Sequence, residues 1–295
     1  MRGPGQGEAL TVWALWGAMA LAALATYSWV DPSDLYNVSR QGLGGGLGRS
    51  VVLLNFPIAL VAVATTLVSV AALPRGAWLA AAPAIACAAL VPFVVDEDDL
   101  DVRAANAIPA LGVLVALVLT ILAARRAGTS FAPRRRGDPA RLLVAAVVVL
   151  LSLPWITAAL GFHFPGDVFM GEELRREDDG TLLAAVHLGH HHGLDGALLV
   201  LTALLLSRVR LRERWLHLVL TGYVGLMLAY GAVNMAQDFW LEQIVKRGWT
   251  DAEIPPALLP GFRPIWVVIL ALAALSAIVL AREERAEPAA SYSTP

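Results

Sequence analysis

Apolar runs of about 20 residues recur along this chain, separated by polar connections. At 1.5 Å per residue each is long enough for one helical crossing of a bilayer core about 30 Å thick. Eight crossings are predicted: roughly Leu10 to Val30, Val51 to Leu73, Ala77 to Val95, Ala104 to Ala124, Leu142 to Leu160, Thr181 to Ser207, Trp215 to Ala236 and Pro264 to Ala281. The sixth is unusual, because its strictly apolar part, Ala197 to Ser207, is too short to span. A helix of sufficient length must reach back through Val186-His187-Leu188-Gly189-His190-His191-His192-Gly193-Leu194-Asp195-Gly196. On such a helix His187, His191 and Asp195 fall at i, i+4 and i+8 along one face, with His190 and His192 on its flanks. Asp195 is then expected about 10 Å or more below the membrane surface. An ionisable group at that depth is costly unless it is paired, wetted or coordinated.

Arginine placement orients the spans. With the N-terminus in the cytoplasm, the inner connections hold 14 of the 22 Lys and Arg residues, clustered at Arg125-Arg126, Arg134-Arg135-Arg136 and Arg208 to Arg214, and the outer loops hold 8. The asymmetry follows the positive-inside rule and predicts an even number of spans with both termini cytoplasmic. The histidine run therefore faces outward. Residues 1–285 are expected to form a single all-α polytopic membrane domain, and residues 286–295 a short cytoplasmic tail.

Composition agrees: 58% of residues are hydrophobic and the mean hydropathy is +0.65. Leu10 to Val30 is long enough to span and is followed by further spans, so it reads as a first helix and not as a cleaved signal peptide. Cys87, the single cysteine, sits in an apolar run, which excludes intramolecular disulfides, Cys-rich zinc sites and iron–sulfur clusters. Lys246 is the only lysine, and Ala, Gly and Val abound, as in the product of a GC-rich bacterial gene. A bacterial inner (plasma) membrane location is expected, with the lipid bilayer as the partner surface and no nucleic-acid partner.

The outer loops carry most of the acids. Gly42-Leu43-Gly44-Gly45-Gly46-Leu47-Gly48 has no preceding strand and no following Gly-Lys-Ser/Thr, so it reads as a flexible or re-entrant connection and not a phosphate cradle. Asp96-Glu97-Asp98-Asp99-Leu100-Asp101 lacks the turn glycine and terminal glutamate of an EF-hand and reads as a solvated linker. The segment Gly161 to Gly180, with His163, Asp167, Glu172 and Glu173, leads into the histidine run as a lid or a source of a further ligand. Thr250-Asp251-Ala252-Glu253 has a capping-box pattern that Pro255-Pro256 cuts short, and Glu242 to Lys246, flanked by Trp240 and Trp249, reads as an interfacial segment.

Polar residues inside the spans concentrate in their outer halves: Asn55, Asn106, Asn234, Gln237 and Asp238 join Asp195 there. The inner halves carry only Thr65, Thr66, Ser69, Thr120, Thr202 and Ser276, whose hydroxyls can bond back to their own helices. The distribution fits an outward-open polar chamber. Val118 to Arg126 parallels Ser276 to Glu283, and Pro74 to Trp78 parallels Arg212 to Trp215. These matches suggest a 4+4 internal pseudo-repeat about an axis along the membrane normal, with Asn55 roughly the counterpart of the histidine cluster.

Histidine and carboxylate at helical spacing suit zinc, copper or non-haem iron. The expected divalent-metal ligands are His187, His190, His191 and Asp195, with His163 as a ligand from another segment. The other readings are a hydrogen-bonded network with outer-loop carboxylates such as Glu172 and Asp178, and a proton relay. Bis-histidine haem fits poorly, because His217 belongs to the opposite membrane face.

Three local patterns resemble known motifs. His187-Leu-Gly-His190-His191 resembles one histidine box of membrane di-iron desaturases, which carry several such boxes on the cytoplasmic side. His191 to Gly196 is similar to the His-x-x-x-Asp-Gly of ZIP-type zinc transporters, although their His-Glu-x-x-His is absent. His-x-x-x-His on a helix is similar to the zinc helix of the alkaline ceramidase and adiponectin-receptor superfamily, without its companion Ser and Asp helices. Each covers about ten residues, and none extends over the chain.

The expected function is a metal-dependent membrane hydrolase or oxidoreductase acting on a lipid-phase or extracytoplasmic small-molecule substrate, with Glu172, Glu173 or Asp238 as general base. The alternative is a metal-ion or proton-coupled transporter, or a metal-handling assembly subunit.

Overall fold

A computed structural model describes residues 5–29, 42–55, 57–91, 107–160, 164–172, 174–176, 182–184, 186, 192–255, 257 and 263–286. Its helices, in chain order, are α1 (Gln6–Trp29), α2 (Gly42–Asn55), α3 (Pro57–Val70), α4 (Trp78–Ala89), α5 (Ala107–Ala127), α6 (Asp138–Ala159), α7 (His192–Leu206), α8 (Arg214–Trp240) and α9 (Ile265–Ala286). A small antiparallel hairpin pairs β1 (Leu174–Arg176) with β2 (Leu182–Ala184), Leu174 facing Ala184 and Arg176 facing Leu182.

Among the described residues, five helices are long and apolar enough to cross a membrane: Gln6–Trp29, Ala107–Ala127, Asp138–Ala159, Arg214–Val245 and Ile265–Arg285. Pro57–Val70 and His192–Leu206 are shorter apolar helices. These are the proportions of a multi-pass helical membrane protein.

Two predicted spans take a different form. Val51 to Leu73 is two helices, α2 and α3, and the glycine-rich run expected as a flexible connection is the first half of α2. Gly46 explains why. A Cβ there would meet the carbonyl of Leu24 at 2.5 Å, so bare backbone lets α2 lie directly on α1, and the Ser50 hydroxyl donates to the carbonyl of Ala20 at 3.0 Å. Close packing outweighs glycine's low intrinsic helix propensity.

The second correction concerns Thr181 to Ser207. Leu182–Ala184 is a strand and the helix begins at His192, so Asp195 sits in the first turn of α7. The strand at residues 182–184 shortens the predicted crossing from its N-terminal side; His187 and His191 lie outside the described residues. Pairing with β1 takes up the backbone groups of β2 and so removes residues 182–184 from the helix.

The bundle helices meet end to end in an antiparallel sense. At one end the N-termini of α1, α4, α6 and α8 meet the C-terminal ends of α3, α5, α7 and α9. Gln6 donates to the carbonyl of Val68, the amide of Gly7 to the carbonyl of Ser130, and the Trp78 and Trp215 rings lie 5.9 Å apart. Helix α8 is the more central of the last two helices, with 50% of its apolar stretch buried against 11% for α9. It packs on α7 through Gly231 and Gly196. A Cβ on Gly231 would lie 2.6 Å from the carbonyl of Gly196, and one on Gly196 would lie 2.5 Å from that of Gly231.

Below this contact the core is apolar, built from Trp16, Leu198, Leu199, Leu206, Leu220, Val224 and Met227. Three of its hydroxyls bond back to their own helices, as expected: Thr65 to Val61, Ser69 to Thr65 and Thr120 to Ala116. Thr202 instead accepts from the indole of Trp16 at 2.9 Å.

Candidate functional site

The end of the bundle opposite the arginines carries a buried polar face on α8. Tyr230, Asn234, Asp238 and Glu242 recur every fourth residue and are 2%, 3%, 5% and 2% exposed. Spacing of four places successive residues one above another on a helix surface. The stripe continues past α8 because Leu241–Val245 forms a π-helical turn, which buries both Glu242 and Gln243. Such turns occur often at functional sites. The residues expected as an interfacial segment, Glu242 to Lys246, thus continue the helix through this turn, and Lys246 pairs with Glu242 at 2.7 Å.

Asp238 is held from α6. The Trp155 indole N–H donates to its Oδ2 at 2.5 Å, and the same ring packs flat enough on α7 that any side chain on Gly193 would collide with it. Trp155 thus joins three helices at one level. Beside it, Tyr230 stacks on Trp266 of α9 with centroids 5.6 Å apart.

Asp195 is 4% exposed. Its place in the first turn of α7 sets its charge against backbone N–H groups that have no intrahelical partner, which lowers the cost of burial.

Two contacts hold the loop ahead of the histidines. The Gln243 amide donates to the carbonyl of Phe169 and the Arg247 guanidinium to that of Val168, both at 3.1 Å. The amide of Gly171 donates to the carbonyl of Val186 at 2.8 Å, and Val186 is buried. The run 187–191 is therefore bracketed between buried Val186 and the start of α7. His187, His190 and His191 lie outside the described residues, as do His163, Glu173 and Asn106. Asn55 is the last residue of α2. Glu172 is exposed, one residue beyond Gly171.

Gln237 is not part of the α8 stripe: it accepts from the amide of Ala257 at 3.1 Å and so fastens the segment that follows α8. Thr250 accepts from the amide of Ala252 at 3.1 Å, a cap-like bond with no helix following it. Among the described residues alone, no three His, Cys, Asp or Glu side chains form a metal-binding group.

The sequence reading missed an ionic clasp at the arginine-rich end. Arg141 of α6 makes two parallel 2.7 Å bonds to Glu283 of α9 and a third, at 2.8 Å, to Ser207 at the end of α7. Arg208 lies 3.4 Å from Glu8 and 3.3 Å from Asp138, and Glu8, fully buried, also accepts from the amide of Ala132 at 2.8 Å. His217 meets Glu284 at 2.8 Å. The signal available in sequence was Glu8 itself, a lone acid at the entrance to an apolar run. His217, near the start of α8, lies at the end of the bundle opposite His192 at the start of α7.

Compared with protein-family models, with curated proteins and with solved structures, the chain yields no match.

Proposed function

We propose that the chain is an eight-span bacterial inner-membrane protein, with both termini cytoplasmic, that holds a divalent metal at its outer face and acts as a metal-dependent membrane enzyme. The ligands on this reading are His187, His190, His191 and Asp195, with His163 from the preceding loop. The observation that carries it is the buried carboxylate of Asp195 in the first turn of α7, immediately after a histidine run bracketed by the fixed Val186 and His192. Imidazole and carboxylate together suit zinc, copper or iron, and a metal would compensate a carboxylate removed from water.

The eight-span count follows from treating α2 with α3 as one crossing and α4 and α7 as short ones. An enzyme is favoured over a conduit because the opposite end is closed by the Glu8, Asp138, Arg141, Arg208 and Glu283 clasp above a packed apolar core. Glu172 is the carboxylate best placed as proton acceptor, exposed beside the strut that fixes Val186. Asp238 is already engaged by Trp155. The substrate class is a lipid-phase or extracytoplasmic small molecule with a hydrolysable or oxidisable group.

Transport is the second reading, and one observation favours it. The second crossing of each half on this reading contains a short apolar helix, Pro57–Val70 of 14 residues and His192–Leu206 of 15. Paired irregular spans mark binding sites in repeat-built transporters.

The test is elemental analysis of protein purified without chelators, beside His191→Ala and Asp195→Asn. One metal per chain, lost in both variants, is the expected result, and a metal-free wild type refutes the site. Uptake of that metal into proteoliposomes would replace the enzyme reading with transport.

A further inference from the structure

The ionic clasp leaves a surplus of positive charge around itself. Within it Arg135, Arg141, Arg208 and Arg210 are set against Glu8, Asp138, Glu283 and Glu284, so its charges cancel. Around it Arg75, Arg125, Arg126, Arg134, Arg214 and Arg282 are exposed, and among the described residues none of them has a carboxylate partner. Glu213 is the one exposed acid at this end among the described residues.

At one point on this rim the charge stands beside apolar surface. The Trp78 and Trp215 rings join the start of α4 to the start of α8. Arg75 lies in the tight turn Arg75–Ala77 that leads into α4, and Arg214 directly precedes Trp215. Four residues after each arginine comes an exposed leucine, Leu79 at 85% and Leu218 at 58%, and Trp215 itself is 57% exposed. On α8 that spacing puts Leu218 one turn from Arg214 on the same side. A Cβ on Gly76 would meet nothing within 4 Å, so the approach beside Arg75 is open.

We infer that the seam between α4 and α8 binds an anionic phospholipid of the leaflet at this end, the cytoplasmic one on the orientation proposed. Arg75 and Arg214 hold its phosphate, and its acyl chains lie along Leu79 and Leu218. Planar guanidinium groups match phosphate geometry, and basic residues at a membrane surface gain most against negatively charged lipid. A free phosphate would use the arginines and leave Leu79, Trp215 and Leu218 in water. A zwitterionic lipid would cover those side chains but add its own cation to the positive rim.

The purified full chain in non-ionic detergent is titrated with phosphatidylglycerol or phosphatidylcholine of identical acyl chains, and bound lipid is counted by native mass spectrometry. Phosphatidylglycerol should bind more tightly. Arg75→Gln and Arg214→Gln should each weaken it about fivefold and the double variant about 25-fold, the effect expected of one basic residue near anionic lipid taken once and twice. Arg263→Gln removes the same charge from an exposed position at the other end and should leave binding unchanged. Leu79→Gln with Leu218→Gln keeps both arginines and should still weaken binding several-fold. If the double arginine variant fails to elute as a monodisperse species, the single variants decide. Equal binding of the two lipids, unchanged binding in both arginine variants, or an equal loss in Arg263→Gln would overturn the inference. Displacement of phosphatidylglycerol by inorganic phosphate, with the leucine variant unaffected, would assign the rim to a free anion and overturn it as well.

Discussion

Adding one carbon to Gly231 tests the helix contact that sets the level of the candidate site. In Gly231→Ala the new Cβ would stand 2.6 Å from the carbonyl oxygen of Gly196 and 3.1 Å from the Leu199 Cβ. Ordinary contact begins at 3.4 Å. The obstacle is backbone, so α7 and α8 must part by about 0.8 Å or bend, and overpacking of this kind costs about 1–3 kcal/mol. At about 2–4 °C per kcal/mol for chains of this size class, the unfolding midpoint in detergent should fall by several degrees. Gly196→Ala strikes the reciprocal carbonyl at 2.5 Å, so the double variant should cost less than the two single losses together, because the first separation already admits the second methyl. Gly222→Ala on the same helix is the control: nothing lies within 4 Å, and the gain in helix propensity should raise the midpoint slightly, by up to about 1 kcal/mol. Intrinsic-fluorescence thermal scans of the four variants suffice. A Gly231→Ala protein as stable as wild type, or additive losses in the double variant, would refute the contact and the placement of Asp195 and Asn234 built on it.

Three further outcomes follow from the same geometry. Arg141→Gln should destabilise by about 3 kcal/mol, since it strands a partly buried Glu283, whereas Arg141→Gln with Glu283→Gln should recover much of that loss; a thermal double-mutant cycle without coupling would remove the bidentate pair. Trp155→Phe keeps the ring's bulk against Gly193 but deletes the donor to Asp238. It should cost about 1.5–3 kcal/mol, read as a lower unfolding midpoint, and an unchanged midpoint would argue against the bond. Gln243→Ala removes the donor to Phe169 and should raise proteolytic cleavage of 164–172 well before it affects global unfolding; equal cleavage rates would mean that the loop is held otherwise.

Legibility of the chain followed the range of the interactions. Helix α6 and helix α9 were readable within a few residues, because an apolar run of membrane length is a local property. Asn234 and Asp238 were readable as one face from their spacing alone. The helical reading of Gly42 to Gly48 was missed because the reason for it lies 20 residues earlier, on α1 at Leu24 and Ser28. The start of α7 was misplaced for a related reason: the length argument assumed a straight crossing, and the hairpin partner that takes residues 182–184 cannot be read from their composition. The clasp was invisible as a site because Arg141, Ser207 and Glu283 come from three separate helix ends, and charge counting registers such residues only as orientation.

Every functional statement rests on the polar end of the bundle facing the outside of the cell. Labelling of single cysteines in a Cys87→Ala background with a membrane-impermeant maleimide tests that most directly. Trp249→Cys, at a 69% exposed position beside the π-helical turn, should label in intact cells, and Arg134→Cys, exposed at the clasp end, only after permeabilisation. The reverse pattern would place the histidine run in the cytoplasm and contradict the account.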